Sequence, residues 1–238
     1  FVPIGSFKSA LIHKKRITKK NIDILMPFYD GISGSNFTKK ITLNDIDFLS
    51  NEFINYFKFL IEESVEKNLE GSVLINKCKK VNIGICENNF FHSNEKKFLK
   101  KTLKNLMNSI EKNYLCPYSK CHGDLTFSNI IYDKHNKDLI LIDFLETYIS
   151  SYLLDIAKIK QDLIYGWSFR REPRTVKMKA FIMGKYLYEN INYLIKGKYR
   201  NLFTIIDRLN IFRIAPYISD DCSKEWLMEN LKLLNREV

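Results

Sequence analysis

Three oxygen-bearing side chains in the middle of the chain have the types and spacing needed to handle a phosphate ester. Asp124 and Asn129 stand five positions apart in the run His122-Gly123-Asp124-Leu125-Thr126-Phe127-Ser128-Asn129, and a second acid follows in Ile142-Asp143-Phe144. Phosphoryl transfer asks for a carboxylate that orients or receives a hydroxyl proton, and for hard oxygen donors that hold magnesium on the phosphates. Asp124 is accordingly read as the base, with His122 beside it as a second catalytic candidate. Asn129, through its amide oxygen, and Asp143 are read as ligands of Mg2+ and of the nucleotide phosphates. Gly123 allows a tight backbone turn ahead of the base.

These residues need elements to bring them together. Ile130 to Tyr132 and Leu139 to Ile142 are apolar strand-like runs around the polar turn Lys134-His135-Asn136-Lys137, and together they predict a hairpin. A loop that feeds a hairpin returns the hairpin's end to the loop's start, so Asp124, Asn129 and Asp143 can share one site. Upstream, Thr42-Leu-Asn-Asp45 resembles a capping box, and Ile46, Leu49, Phe53, Ile54, Phe57, Leu60 and Ile61 recur at helical spacing, predicting a helix to about Lys67. Gly71 to Phe91 reads as a mixed segment, and a second helix is predicted from Ser93 to Tyr114. After the hairpin, Ser150 or Ser151 caps a helix to about Tyr165. Further helices are predicted over Thr175 to Ile195, Arg200 to Phe212 and Ser223 to Leu234. At the amino end, Phe1 to Phe7 and Asn21 to Phe28 predict a short strand pair around the basic stretch Lys14 to Lys20.

Bulk properties narrow the class. The 238 residues are 45% hydrophobic and 27% charged, as in a folded chain with a substantial core. A formal charge of +11 attracts anions without choosing among them, and the paired lysines read as solvated faces, which weighs against nucleic acid as a partner. Five cysteines form no disulfide framework, and Cys116 to His122 lacks zinc-ligand spacing, so free thiols and a cytoplasmic setting are expected. No apolar run is long enough to cross a bilayer, so no membrane partner is expected.

The stretch resembles the aminoglycoside phosphotransferase and choline kinase family, whose catalytic loop reads His-Gly-Asp and whose metal acid sits in Ile-Asp-Phe. Protein kinases prefer Arg where Gly123 stands and Gly where Leu145 stands, so the small-molecule branch fits better. The phrases Cys-His-Gly-Asp-Leu-Thr-Phe-Ser-Asn and Ser-Tyr-Leu-Leu-Asp-Ile-Ala-Lys-Ile-Lys-Gln-Asp look most like members that accompany bacterial capsule or surface-polysaccharide genes. The resemblance implies an α/β (α+β), protein-kinase-like fold represented mainly by its helical carboxy-terminal lobe. It also implies that Asp155, at a helix start about a dozen residues past Asp143, braces the catalytic loop. The activity implied is transfer from ATP or GTP, with Mg2+, to a hydroxyl of a sugar, amino alcohol or related small molecule.

The resemblance implies an amino-terminal β lobe larger than the residues ahead of the expected hinge can build, so this is either the carboxy-terminal part of a longer protein or a form with a reduced lobe. Residues 1–31 read as a remnant of that β lobe with a hinge at Tyr29-Asp30-Gly31, and residues 32–238 as the helical lobe. Lys8, Lys14 and Lys15 lack a clear strand with a matching helix behind it, so the chain is expected to be the carboxy-terminal part of a longer protein. A degenerate, non-catalytic binding module is the rival reading. Trp167, Arg170, Arg171 and Arg174 are candidate acceptor contacts, since arginines grip anionic groups; a solvated basic turn around Pro173 is the plainer alternative.

Overall fold

A computed structural model describes residues 7–9, 14–17, 22–25, 32–33, 36, 42–133 and 136–235. The first strands are β1 (Phe7–Ser9), β2 (Lys14–Ile17), β3 (Ile22–Leu25) and β4 (Ile32–Ser33). Ile22–Leu25 does pair, but its antiparallel partner is Lys14–Ile17, inside the stretch read as basic spacer. Lys14 and Lys15 therefore lie in a strand after all. The predicted hinge at residues 29–31, and nearly all of the predicted strand over residues 1–7, fall outside the described residues.

Helix α1 (Leu43–Glu62) starts as the sequence predicts: Asp45 accepts from the Thr42 backbone N–H at 2.8 Å, and Thr42 Oγ1 accepts from Asp45 N. It stops five residues before the predicted end. Glu62 and Glu63 oppose the helix dipole there, and Ser64 Oγ donates to the Ile61 carbonyl, closing the last turn. The chain then turns into β5 (Val65–Glu70), antiparallel to β6 (Asn113–Tyr118), a strand pair that helical spacing had concealed on both sides. Between these strands lie α2 (Gly71–Glu87) and α3 (Ser93–Asn108). The segment read as mixed is thus largely a helix that buries Leu74, Cys78, Val81 and Ile85.

The predicted hairpin is β7 (Ile130–Asp133) with β8 (Asp138–Leu141), extended by β1 parallel to β8 and β4 antiparallel to β7. Four helices complete the order: α4 (Tyr152–Leu163), α5 (Arg174–Asn192), α6 (Arg200–Phe212) and α7 (Asp221–Leu234). Ser151 caps α4, accepting from Leu153 N. Helix α4 packs on both α5 and α6 and is buried almost all round, so every charged residue on it needs a partner. Among the described residues no helix is long and apolar enough to cross a membrane.

Candidate active site

The loop between β6 and β7 is held from below by one face of α4. Asp155, fully buried, accepts from His122 N at 2.7 Å and Gly123 N at 2.8 Å, and from the Tyr56 hydroxyl at 3.3 Å. Three residues on, Lys158 Nζ lies 2.8 Å from Asp124 Oδ1. One further turn on, Asp162 accepts from Phe127 N at 2.6 Å and from Ser168 through both N–H and hydroxyl. Spacing of three and then four places all three side chains on one stripe, and they hold the start, the acid and the far bend of the loop in turn.

Burial raises the Asp155 carboxyl to about 7 despite its hydrogen bonds, and raises Asp162 to about 6. Burial likewise pushes the Lys158 ammonium down, with Asp124 opposing that shift. The Asp162 shift gives a testable sign. The folded chain keeps this proton up to about pH 6, whereas the unfolded chain releases it near its ordinary 3.8. The contribution to stability is complete below 3.8 and is lost as pH rises through about 6. Thermal unfolding of Asp162→Asn should accordingly show a flatter pH dependence over that window than the parent chain; an unchanged slope would remove Asp162 as its source.

A second set of bonds fastens the loop to the end of β8. Ile142 N donates to Asn129 O at 3.0 Å, and Leu145 N donates to His122 O at 3.0 Å. The His122 ring completes the set: Nδ1 accepts from Asp124 N, so the proton sits on Nε2, which donates to the Ile142 carbonyl at 2.7 Å. Burial lowers the His122 pKa, and Phe144 stacks on the ring at 4.3 Å. Asp143 therefore leaves β8 one residue past the backbone bond to Asn129, exposed, with a left-handed φ of 57° that Asp tolerates better than most residues. Gly123 has φ +83°, and a Cβ there would lie 2.3 Å from the Leu145 carbonyl, so the close approach of the two segments requires glycine.

The donor set suits magnesium. Asn129 Nδ2 donates to Asp124 O at 2.8 Å and to Asp124 Oδ2 at 3.1 Å, which turns the amide oxygen away from Asp124. That neutral oxygen and the exposed Asp143 carboxylate are two hard oxygen donors that could hold such an ion alongside substrate phosphates and water. No cluster of three or more His, Cys, Asp or Glu fit for a metal occurs among the described residues.

Asp124 also lines a cavity of about 730 Å³ between α2, α4 and the turn before α7. Trp167, Arg170 and Arg171 line it; Arg174 does not, lying exposed at the start of α5. Arg170 stacks on the Trp167 ring at 3.5 Å and donates to Ser223 Oγ, while Arg171 pairs with Asp220 at 2.7 Å. Sequence reasoning missed Lys158 and Asp162, although charges three and seven residues past Asp155 on an apolar helix were a usable signal. It also missed Lys77, Lys80 and Arg213 on the far wall, where Lys79-Lys80 read only as a solvated pair. The five cysteines are free, with Cys78 and Cys116 packed in the core.

No protein-family description matches the chain, and no curated protein matches it. Solved structures do. A glucosamine kinase superposes with a TM-score of 0.56 at 10% identity, covering 91% of this chain and 62% of its own. A glucosamine kinase in complex with glucosamine, ADP and inorganic phosphate gives 0.55 at 10% identity, covering 91% and 60%. The chain thus spans about three fifths of these proteins, and the likeness is one of fold: helix-rich, with small sheets, as in these kinases.

Proposed function

We propose that this chain is a small-molecule O-phosphotransferase that moves the terminal phosphoryl group of ATP or GTP to a hydroxyl. The observation that carries the reading is the double fastening of the 122–129 loop, to α4 through Asp155, Lys158 and Asp162 and to the end of β8 through His122 and Asn129. Side chains on rigid, cross-braced backbone are preorganised for chemistry. The shared fold with glucosamine kinases supports the same reading at the level of architecture.

Asp124 presents its carboxylate at the cavity with both oxygens fixed, Oδ1 by Lys158 and Oδ2 by Asn129. The acceptor hydroxyl gives its proton to Asp124 as its oxygen bonds to the terminal phosphorus, and the bond from that phosphorus to the bridging oxygen breaks to release the nucleoside diphosphate. Magnesium, when held by Asn129 Oδ1 and Asp143, would neutralise phosphate charge. His122 is a positioning residue in this scheme, since both ring nitrogens are already engaged by backbone.

Calorimetric titration with ATP and GTP, with and without magnesium, tests the proposal. Binding should need the metal, and Asp143→Ala should weaken it about ten-fold or more. Metal-independent binding, or binding unaffected by Asp143→Ala, would remove the donor site from this position.

A further inference from the structure

The cavity that Asp124 faces carries more positive charge than the catalytic residues use. Six basic side chains line it, Lys77, Lys80, Lys158, Arg170, Arg171 and Arg213, against three carboxylates, Glu87, Asp124 and Asp220. Two of the carboxylates are already engaged: Asp124 pairs with Lys158, and Asp220 with Arg171 and with Ser223 through both its N–H and hydroxyl. Arg170 is held by Ser223 and the Trp167 carbonyl. What remains is Lys77, Lys80 and Arg213, with Glu87 exposed at the end of α2.

These three are brought together by the fold. Lys77 Nζ lies 5.9 Å and the Arg213 guanidinium carbon 5.5 Å from the centre of the same Tyr148 ring. Arg213 Nη1 is buried with no hydrogen-bond partner among the described residues. A buried guanidinium N–H left open is costly and marks a place for an acceptor. The Lys77 ammonium is pushed down first by burial and then by Arg213, Lys80 and Lys158, which is the signature of like charges crowded on one side of a cavity. The wall that presents them is firm: Gly84 lets α2 approach Pro216 so closely that a Cβ would lie 2.6 Å from that ring, and Asn88 Nδ2 donates to the carbonyls of Ala215, Pro216 and Ile218.

We propose that the acceptor is a hydroxyl compound that already bears a phosphomonoester, such as a sugar phosphate, with the dianion held by Lys77, Lys80 and Arg213 and the hydroxyl at Asp124. Three cations suit a doubly charged phosphate better than a single carboxylate, and a cavity of this volume accommodates a sugar phosphate. This rests on the phosphotransferase reading, and the product would carry two phosphates, one from each source. The neutral part of the acceptor would lie along Leu145 and Trp167, which share the cavity with Asp124.

Calorimetric titration of the full chain with glucose 6-phosphate, glucuronate and glucose tests this, alongside a separate magnesium-ATP titration. The phosphate ester should bind about ten-fold or more tighter than glucose, with glucuronate between. Arg213→Gln and Lys77→Gln should each remove about ten-fold of the preference while leaving magnesium-ATP affinity unchanged. Lys80→Gln, at an exposed position, serves as a third variant should either of the others unfold. Equal affinity for the three probes would overturn the proposal, as would a preference insensitive to these substitutions. Loss of magnesium-ATP binding in Arg213→Gln would also overturn it, by assigning the cations to the donor. Phosphate-ester preference without any nucleotide binding would instead overturn the phosphotransferase reading and leave the anion site standing.

Discussion

Asp124→Asn is expected to lower turnover by about 10²–10⁴-fold, the range typical of a lost general base, while magnesium-nucleotide affinity stays close to that of the parent chain. Asparagine is the informative replacement because of Lys158. The Lys158 side chain is 8% exposed and its ion pair is with Asp124, so Asp124→Ala would strand a buried ammonium, at a cost of about 3–5 kcal/mol. Lost activity in the alanine variant could then reflect a damaged fold. The amide of Asp124→Asn keeps an acceptor for Lys158, though no charge opposite it, and turns its NH2 toward Asn129 Nδ2, which still donates to the Asp124 backbone carbonyl; it cannot take a proton from a hydroxyl. Steady-state kinetics with an acceptor that supports turnover, read together with thermal unfolding, separate the two effects. Turnover within ten-fold of the parent at unchanged melting temperature would take the role of base away from Asp124.

How much of this site could be read in the sequence depends on how locally each part is encoded. Asp124, Asn129 and Asp143 are linked by a short loop and one hairpin, so spacing alone brought them together, and the structure adds the bonds that fasten them. Helices α6 and α7 were legible for the same reason, since each carries a continuous apolar stripe. Helix α2 was not. Its Leu74, Cys78, Val81 and Ile85 recur at helical spacing, but Gly71 and Gly84 argue against a helix locally, and the reason for Gly84 lies about 130 residues away at Pro216. The antiparallel pair of β5 and β6 was hidden similarly, because its strands are separated by two helices and β5 buries only Leu69. Missing α2 meant missing the cationic wall of the cavity, since Lys77 and Lys80 acquire a common direction only once a helix places them one turn apart.

Asp155→Asn should destabilise the chain by about 1–3 kcal/mol, lowering the melting temperature by about 2–12 °C, and should reduce turnover without touching any reacting group. The carboxylate receives two backbone N–H groups, one on each oxygen, and the Tyr56 hydroxyl on Oδ2. An amide offers one oxygen, so in either orientation its NH2 faces a buried N–H, from His122 or from Gly123, and that donor is left unsatisfied. Some of the loss is offset, because burial makes the Asp155 charge itself unfavourable, with its carboxyl raised to about 7. The offset grows with pH, so the destabilisation by Asp155→Asn should be larger at pH 6 than at pH 8. Since His122 and Gly123 directly precede Asp124, any shift of the loop's start moves the base relative to Asn129 and Asp143. Asp155→Asn is thus expected to lose stability and turnover together, whereas in Asp124→Asn the loss of turnover exceeds what any change in melting temperature explains. A variant at Asp155 that melts with the parent yet has lost activity would contradict the bracing role and place Asp155 in the chemistry.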